Sequence, residues 1–329
     1  YSKTPYPARN TALPLYFIMV CFTVLTVGKV AAQDKEGFTF VTSDNKSMVL
    51  PLGKISFADT IISYNIGTPK PMEKYRDSTL ALKRPDYINY KTPRFASLGC
   101  GGSMIVGFTD NGFMNLPGDD LYLFEVGPSR EAAHIEISEG GTHWVPAGKI
   151  RGGRSTLNLD QAGIDTETVF YYVRITDLKD LCAGPSAGAD IDAVAAINSV
   201  IKLTINADIL FDVAEHDLKE TAEETLRELA QTVLSVEKAT LLIEGHTDSD
   251  GKPGYNMALS KRRCAAVRDG LKAMFGTLAQ NFDLVVIPYG ENSPKYPNDT
   301  AKNKQMNRRV EVTVLPPKSY YDSLPKKKG

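Results

Sequence analysis

An acidic and a basic residue in the second half of the chain have the types and spacing needed to bind a small charged ligand. Asp248 ends the run Gly245-His246-Thr247-Asp248, which follows a strand-like segment at 240–244. Loops at the carboxyl ends of strands in α/β folds commonly carry ligand-binding groups. Arg263 is the charged member of an apolar row at i+4 spacing along a predicted helix, formed otherwise by Leu259, Val267 and Leu271. A guanidinium in such a row is costly unless it is paired or contacts a ligand.

Two interpretations of this pair are open at the level of the sequence. Asp248 and Arg263 could form a structural salt bridge. Alternatively, they bind a zwitterion, because a carboxylate accepts hydrogen bonds from an ammonium group and an arginine fork binds a carboxylate through two nitrogens.

The elements that must position these residues follow from periodicity. Strands are predicted at 200–205, 240–244, 284–289 and 309–315. Amphipathic helices are predicted at 217–236 and 256–275. Since strands alternate with helices, we expect an α/β sandwich over 198–315.

This part of the chain resembles the OmpA-like C-terminal peptidoglycan-binding family over about residues 200–315. The resemblance implies a mixed sheet and non-covalent binding of peptidoglycan through the diaminopimelate of its stem peptide. The motifs that carry it, in the family's order and spacing, are Leu210-Phe211-Asp212, Glu244-Gly245-His246-Thr247-Asp248, Tyr255-Asn256, Leu259-Ser260-Lys261-Arg262-Arg263, Tyr289-Gly290-Glu291 and Asn307-Arg308-Arg309-Val310-Glu311-Val312.

The resemblance also implies roles for individual residues. Asp248 would bind the free ammonium of diaminopimelate and Arg263 its terminal carboxylate. The other residues assigned to the site are Thr247, Asn256, Arg308 and Asp212. The alternative for Asn256 is a helix N-cap, and the alternative for Arg308 is a surface cation. Arg308 is two residues from Val310, so we expect it on the inward face of the last strand.

The preceding region, 48–197, is predicted to be an all-β sandwich. Strand-like segments at 103–108, 121–126, 134–138, 144–150 and 169–176 are separated by turn residues. The region resembles, more loosely, a galactose-binding or discoidin-like sandwich of jelly-roll type, which implies a module that binds a carbohydrate or a protein. The residues behind this resemblance are Pro85-Asp86-Tyr87, 98–103, 117–125, 172–177 and 188–194.

Five aspartates in the loops of this region are candidate ligands for Ca²⁺, which takes six to eight oxygen ligands. They are Asp119, Asp120, Asp177, Asp190 and Asp192. The alternative is turn formation, since aspartate next to glycine commonly forms turns. Apart from Ca²⁺, no cofactor is expected.

The ends of the chain suggest export. Residues 13–27 form an almost uncharged run shorter than the ~20 residues that span a bilayer, and Val30-Ala31-Ala32 fits a signal-peptidase site. We therefore predict a signal peptide at 1–32, a linker at 33–47 and a flexible basic tail at 316–329. The alternatives for the apolar run are an uncleaved anchor and a buried helix. In an oxidising compartment, Cys100 and Cys182 are the natural disulfide pair. Cys264 is expected to be a buried apolar side chain.

Composition excludes several classes of function. The 38 Lys and Arg residues balance 39 Asp and Glu residues, so the chain lacks the cationic surplus of a nucleic-acid-binding protein. We find no nucleophile elbow, phosphate loop or paired metal-ligating histidines, and we expect His246 to be structural rather than catalytic. The predicted protein is a non-catalytic component of the periplasm and outer membrane that tethers its sandwich to peptidoglycan. The alternative is an assembly component of an outer-membrane complex, with the wall domain as a passive anchor.

Overall fold

The computed structural model describes residues 38–41, 47–82, 84–89, 91–92, 94–126 and 131–325. The predicted signal peptide at 1–32 lies outside these residues. Within the predicted linker, strand β1 (Phe38–Val41) pairs antiparallel with β2 (Ser47–Leu50). Across the described part of the chain, the helices are too short or too polar to span a bilayer.

Two antiparallel sheets form the first part of the molecule, as the sequence predicts for an all-β sandwich. One has the strand order β10-β7-β12-β4 and the other the order β3-β5-β11-β8-β9. Their strands are β3 (Thr60–Asn65), β4 (Ala96–Ser97), β5 (Ser103–Gly107), β7 (Leu121–Glu125), β8 (Ala132–Ser138), β9 (Val145–Arg151), β10 (Arg154–Leu157), β11 (Tyr172–Asp177) and β12 (Asp190–Ala196). The short strand β6 (Gly112–Phe113) lies between β5 and β7 in the chain and pairs instead with a strand of the second part.

The burial of the strands explains their sequence patterns. In β11, Val173 and Ile175 are buried between the sheets and alternate with half-buried polar residues. All seven residues of β12 are buried. Ile191 and Val194 face the core between the sheets, whereas Ala193 and Ala195 pack in a second apolar cluster with Tyr122 and Phe124. Because β12 is covered on both faces, its sequence lacks the alternation typical of a half-exposed strand.

The disulfide that the sequence left possible is present in the structure. Cys100 and Cys182 are bonded and cross-link positions 82 residues apart. Cys264 is buried and unbonded, as expected for a small apolar side chain.

The second part is an α/β sandwich with a mixed sheet, in agreement with the sequence prediction. The sheet order is β15-β14-β16-β13-β6, with β14 and β15 parallel and the other pairs antiparallel. Helices pack on the face that carries Leu241, Ile243 and Val312. The elements are β13 (Ser199–Asn206), α1 (Ala207–Leu210), α2 (Ala222–Val233), β14 (Ala239–His246), α3 (Pro253–Phe275), β15 (Phe282–Gly290), α4 (Ala301–Asn307), β16 (Arg309–Leu315) and α5 (Lys318–Ser323).

Both predicted helices begin at a different residue from the one expected, and α2 also ends three residues early, at Val233. The helix expected from residue 217 begins at Ala222, because Leu218 pairs with Phe211 and Lys219 donates its N–H to the Leu210 carbonyl in the preceding turn. The helix expected from residue 256 begins three residues earlier, at Pro253. Proline is favourable there, since the first helical N–H has no acceptor within the helix.

The prediction of a flexible tail from residue 316 is wrong for its first part. Residues 318–323 form α5, and Tyr320 packs on the cluster that contains Tyr122 and Phe124. The Tyr321 hydroxyl donates to Asn198 Oδ1 at 3.3 Å. Since β6 also pairs with β13, the sandwich and the α/β part are joined by a shared sheet as well as by α5.

Candidate functional site

The candidate site lies at the carboxyl end of β14, where the strand passes very close to α3. A Cβ atom on Gly245 would lie 2.5 Å from Cys264 Sγ and 2.8 Å from the Ser260 carbonyl oxygen. Gly290, at the end of the neighbouring β15, has φ +56° and accepts a hydrogen bond from Thr247 N at 2.8 Å. Glycine at both positions allows the residues after β14 to turn over the start of α3.

Asp248 is buried at this turn and is paired with an arginine other than the one the sequence suggested. Its Oδ2 accepts a hydrogen bond from Arg308 Nη1 at 2.8 Å, and its Oδ1 accepts one from the Asp250 N–H at 3.1 Å. Among the described side chains, no carboxylate lies within 4 Å of Arg263. The structural salt bridge between Asp248 and Arg263 is therefore absent.

Arg263 is only 5% exposed, and main-chain carbonyls bind it. Its Nε donates to the Glu215 carbonyl at 2.9 Å and its Nη2 to the Asp212 carbonyl at 3.3 Å. The guanidinium lies over the ring of Phe211, with 5.1 Å between Cζ and the ring centroid. Burial lowers the pKa of Arg263 from its ordinary value. The side chain is thus oriented by main-chain carbonyls, and it forms no ion pair with a carboxylate among the described residues.

Asp208 is a site residue that the sequence analysis missed. Arg308 Nε and Nη2 donate to its two carboxylate oxygens at 3.0 and 2.7 Å, while Nη1 of the same guanidinium donates to Asp248. The hydrogen bonds from Arg308 lower the pKa of Asp208. Asp208 lies two residues after the end of β13, in the run Asn206-Ala207-Asp208. A polar residue close to the carboxyl end of a strand was the feature of the sequence that could have identified it.

Arg308 lies in the site, but it is not part of the last strand as predicted. It is the C-cap of α4 and precedes β16, so alternation along the strand does not apply to it. Its carbonyl accepts a hydrogen bond from Ala207 N at 2.9 Å, which brings the start of α1 next to it. Together Asp208, Asp248, Arg263 and Arg308 supply two carboxylates and two guanidinium groups, a balanced set of charges.

Asn256 and Thr247 are both buried in the site. Asn256 is not the helix N-cap, a position that Lys252 holds. Its Nδ2 instead donates to the Asp248 and Asp250 carbonyls at 3.3 and 3.0 Å, which fixes the turn. The hydroxyl of Thr247 is buried and makes no hydrogen bond with the described residues.

Asp212 takes part through its main chain rather than through its carboxylate. The side chain is 75% exposed and pairs with Lys219 Nζ at 3.1 Å, whereas the Asp212 carbonyl accepts the hydrogen bond from Arg263. The structure thus places Asp212 next to the site, with its carboxylate in an ion pair with Lys219 and not with Arg263.

His246 is buried and stacks on Tyr289, with 5.0 Å between the ring centroids. Burial and the neighbouring Arg309 lower its pKa to about 4, so the ring is neutral at pH 7. A neutral, stacked histidine agrees with a structural rather than a catalytic role, although neither ring nitrogen has a hydrogen-bond partner among the described residues.

No three of the aspartates proposed as calcium ligands bring their carboxylate oxygens within 4.8 Å of one another. Asp119 is exposed, whereas the other four are buried and accept hydrogen bonds. The hydrogen-bond partners are the N–H groups of Leu116 and Leu159 for Asp120, those of Gly101, Lys179 and Ala189 for Asp177, those of Asp86 and Tyr87 for Asp192, and the Ser97 hydroxyl for Asp190. Within the described ranges, the only three metal-ligating atoms within 4.8 Å of one another belong to Cys100, Cys182 and Asp177, and the first two are in the disulfide. The buried aspartates therefore stabilise turns.

Comparisons with known proteins agree with the assignment of the α/β part to the OmpA family. Residues 210–308 match the OmpA family. The chain is 34% identical over 268 residues to outer membrane porin F of Pseudomonas aeruginosa, covering 80% of this chain and 73% of that protein. It is 31% identical over 136 residues to a peptidoglycan-associated lipoprotein of Mesorhizobium japonicum, covering 40% of this chain and 79% of that protein.

The fold and site define an α/β domain of the OmpA type, and the chain belongs to the OmpA family. A similar solved structure is the cell wall anchor of the T6SS from Pseudomonas aeruginosa, with 30% identity and a TM-score of 0.32. The match covers 37% of this chain and 85% of the anchor's chain. The family match begins at residue 210, so it does not extend to the sandwich. The galactose-binding or discoidin-like character of the sandwich stays a prediction.

Proposed function

We propose that this protein binds peptidoglycan non-covalently in the cell envelope and recognises the zwitterionic end of diaminopimelate in the stem peptide. The observation that carries this proposal is the state of Arg263. Its guanidinium is buried and oriented by two carbonyls, with no carboxylate partner among the described residues. A buried cation of this kind gains most from an anionic ligand, and a carboxylate matches its planar fork.

The opposite end of the ligand is proposed to contact the two carboxylates that share Arg308. Asp208 and Asp248 are already fixed in place by that guanidinium, so an ammonium group would meet oriented oxygen acceptors. The free hydroxyl of Thr247 offers one more hydrogen bond in the buried part of the site. Because the site's own charges balance, adding a zwitterion leaves the balance unchanged.

Location in the envelope is supported by two independent facts. The chain contains the Cys100–Cys182 disulfide, and disulfides persist in oxidising compartments but are rare in the cytosol. The relatives described above are named as an outer membrane porin and a peptidoglycan-associated lipoprotein. We therefore propose that the protein tethers its sandwich to the cell wall by equilibrium binding, without making or breaking a covalent bond. The sandwich's own ligand, a carbohydrate or an envelope protein, stays a prediction.

Sedimentation with purified sacculi that contain diaminopimelate tests the site. Arg263→Lys keeps the charge but loses the fork, and Asp248→Asn removes an anion. We expect each to weaken binding about tenfold or more, as is typical for hydrogen bonds to charged groups. The matched control is Arg262→Lys, at the exposed neighbouring position. Unchanged sedimentation of both site variants, with melting temperatures like the wild type's, would contradict the proposal.

A comparison of two stem peptides, one with diaminopimelate and one with lysine, tests the proposed ligand more directly. Lysine differs from diaminopimelate by lacking the carboxylate that Arg263 is proposed to bind. We expect calorimetric titration to show binding of a diaminopimelate-containing stem peptide and at least tenfold weaker binding of the lysine-containing peptide. Equal affinities would exclude Arg263 as the carboxylate-binding residue.

A further inference from the structure

The segment 212–217 forms an exposed turn beside the candidate site. Phe211 and Leu218 pair antiparallel at its base, and Glu215 N donates to the Asp212 carbonyl at 3.1 Å. The side chains of the turn are exposed or half-buried. The turn therefore gains little from burial of its own side chains, and its conformation depends on hydrogen bonds to its main chain.

Two side chains of α3 donate to three carbonyls of this turn. Arg263 Nε donates to the Glu215 carbonyl at 2.9 Å, and Arg263 Nη2 donates to the Asp212 carbonyl at 3.3 Å. The Tyr255 hydroxyl donates to the Ala214 carbonyl at 3.3 Å. A change in the conformation of the turn would therefore move the acceptors that hold the guanidinium of Arg263.

The hydrogen bonds to the turn leave Arg263 with donors for a ligand. A guanidinium carries five N–H groups. The two carbonyls use one on Nε and one on Nη2, so both N–H groups of Nη1 and the second of Nη2 make no hydrogen bond with the described residues. Neighbouring N–H groups on Nη1 and Nη2 are sufficient for a bidentate contact with a carboxylate. A ligand carboxylate can thus bind Arg263 while the turn keeps its two hydrogen bonds.

The contact between Arg263 and Phe211 does not by itself fix the direction of these N–H groups. The ring centroid of Phe211 lies 5.1 Å from Arg263 Cζ. A cation–π attraction depends mainly on the distance between the cation and the face of the ring, whereas hydrogen bonds have preferred angles. The carbonyls of the turn therefore determine where the unused N–H groups of Arg263 point.

Ala214 holds the least favourable backbone conformation of the turn. Its φ is +62°, and the only other non-glycine residue with a positive φ in the described part of the chain is Lys179. In the left-handed region the Cβ of an L-residue lies too close to the following carbonyl oxygen, whereas glycine adopts this region readily. The closed turn forms because the hydrogen bonds to its carbonyls offset this cost. The residue type at position 214 thus decides how firmly the turn is closed.

We propose that Ala214 is a positioning residue for Arg263 and that the turn at 212–217 sets the preference of the site for diaminopimelate over lysine. The inference rests on the proposed function, because it concerns the carboxylate that Arg263 is proposed to bind. When the turn is closed, the guanidinium is oriented before the ligand arrives, and little conformational entropy is lost on binding. When the turn is open, Arg263 must be ordered during binding, so the affinity for the carboxylate falls. Lysine lacks that carboxylate, so its binding does not depend on the turn.

Calorimetric titration of the full chain with a diaminopimelate-containing stem peptide tests this role. Ala214→Val places a β-branched residue in the left-handed region and should weaken binding about tenfold. Ala214→Gly allows the same φ at less cost and should bind at least as tightly as the wild type. The matched control is Ala273→Val, the same change at an exposed position of α3, which should bind like the wild type.

A second titration separates positioning from a general structural effect. In an Arg263→Lys background the fork is already lost, so adding Ala214→Val should weaken binding by less than about twofold, because the two changes act through the same contact. A purely structural role of Ala214 would give the same loss in both backgrounds. For the same reason, Ala214→Val should leave the affinity for the lysine-containing peptide unchanged.

The outcomes distinguish failure of this inference from failure of the proposed function. If Arg263→Lys binds the diaminopimelate peptide as tightly as the wild type does, both are wrong. If Arg263→Lys weakens binding but Ala214→Val does not, or if Ala214→Val weakens binding equally in both backgrounds, only the positioning role of Ala214 is overturned. A loss of binding by Ala214→Gly as large as that by Ala214→Val would overturn it as well.

Discussion

At the scale of single residues, Arg308 determines the electrostatics of the candidate site. Its three donor nitrogens are divided between two carboxylates that are distant in sequence, Asp208 and Asp248. Each carboxylate is thus fixed before any ligand arrives, and less conformational entropy is lost on binding. Arg263 forms no ion pair with any side chain that the structure describes, so the two arginines have different roles. One orients the acidic groups, and the other is proposed to contact the ligand.

His246 gives a prediction at the same scale. Its pKa is about 4 in the folded protein and ~6.5 in an unfolded chain, so protons bind the unfolded state more readily. Above pH ~6.5 the histidine is neutral in both states and does not affect the free energy of unfolding. As the pH falls towards about 4, protonation of the unfolded chain lowers the free energy of unfolding by up to about 3 kcal/mol. His246→Phe preserves an aromatic ring against Tyr289 but cannot be protonated. We expect its free energy of unfolding to fall less than the wild type's between pH 7 and pH 4.

Urea denaturation at several pH values checks this difference. The informative quantity is the wild-type free energy of unfolding minus that of His246→Phe at each pH, because the other titrating groups contribute equally to both proteins. His143→Phe, at an exposed turn, serves as the control and should follow the wild-type curve. A wild-type and His246→Phe difference that stays constant with pH would show that His246 is protonated equally in both states.

At the scale of elements, the contact between β14 and α3 determines where the site residues lie. Gly245 allows the helix to approach the strand until Cys264 Sγ and the Ser260 carbonyl occupy the space of a side chain. Cys264 is buried there, and burial raises the pKa of its thiol to about 12, so it acts as an apolar packing group. Because Arg263 precedes Cys264 directly, a shift of the helix moves the guanidinium as well.

Substitution of Gly245 tests this contact. Gly245→Ala should destabilise the protein by about 1–3 kcal/mol, as overpacking of a well-packed core does. The matched control is Gly254→Ala in the first turn of α3, where an added Cβ meets nothing within 4 Å. Alanine there should be neutral or stabilising by about 0.5–1 kcal/mol. Chemical denaturation measures both values, and equal effects of the two substitutions would contradict the close-packing explanation.

The elements predicted well from the sequence are those whose burial follows a simple period. The strand predicted at 309–315 coincides with β16, and helix α3 ends at Phe275 as expected. The pattern fails for β12, whose two faces are both buried, and for α4, whose residues are nearly all polar. Periodicity reports a contrast between a buried and an exposed face, and these two elements lack that contrast.

For the candidate site too, features visible in the local sequence could be predicted and features that depend on long-range contacts could not. Asp248 and Arg263 were predicted because a polar turn after a strand and a charge in an apolar row are visible locally. The contribution of Asp208 was not predicted, because it depends on a contact between residues 100 positions apart. The pairing of Asp248 with Arg308, rather than with Arg263, follows from the same long-range contact.

At the scale of the whole molecule, helix α5 fastens the end of the chain to the sandwich. Tyr320 packs against the apolar cluster on the outer face of the four-stranded sheet, and Tyr321 donates to Asn198 at the junction of the two parts. Removing residues 317–329 should lower the free energy of unfolding by about 2 kcal/mol, the magnitude expected for a lost aromatic side chain at a buried contact.

A shorter truncation provides the control for this prediction. Removing only residues 326–329 deletes three lysines but keeps α5, so stability should be close to that of the wild type. Scanning calorimetry measures both. If α5 couples the two parts, the longer truncation should also broaden or split the unfolding transition, and a single unchanged transition would argue against coupling through this helix.

The double connection between the sandwich and the α/β part has a mechanical consequence. The chain enters β13 through Asn198, and α5, which follows the end of β16 at the same end of the sheet, contacts the same residue. A tensile load between a bound wall and the sandwich would therefore be divided between a covalent path and a docked helix. Strand β13 lies between β16 and β6, so pulling it along its axis loads many hydrogen bonds together rather than one after another. The junction is built to resist shear.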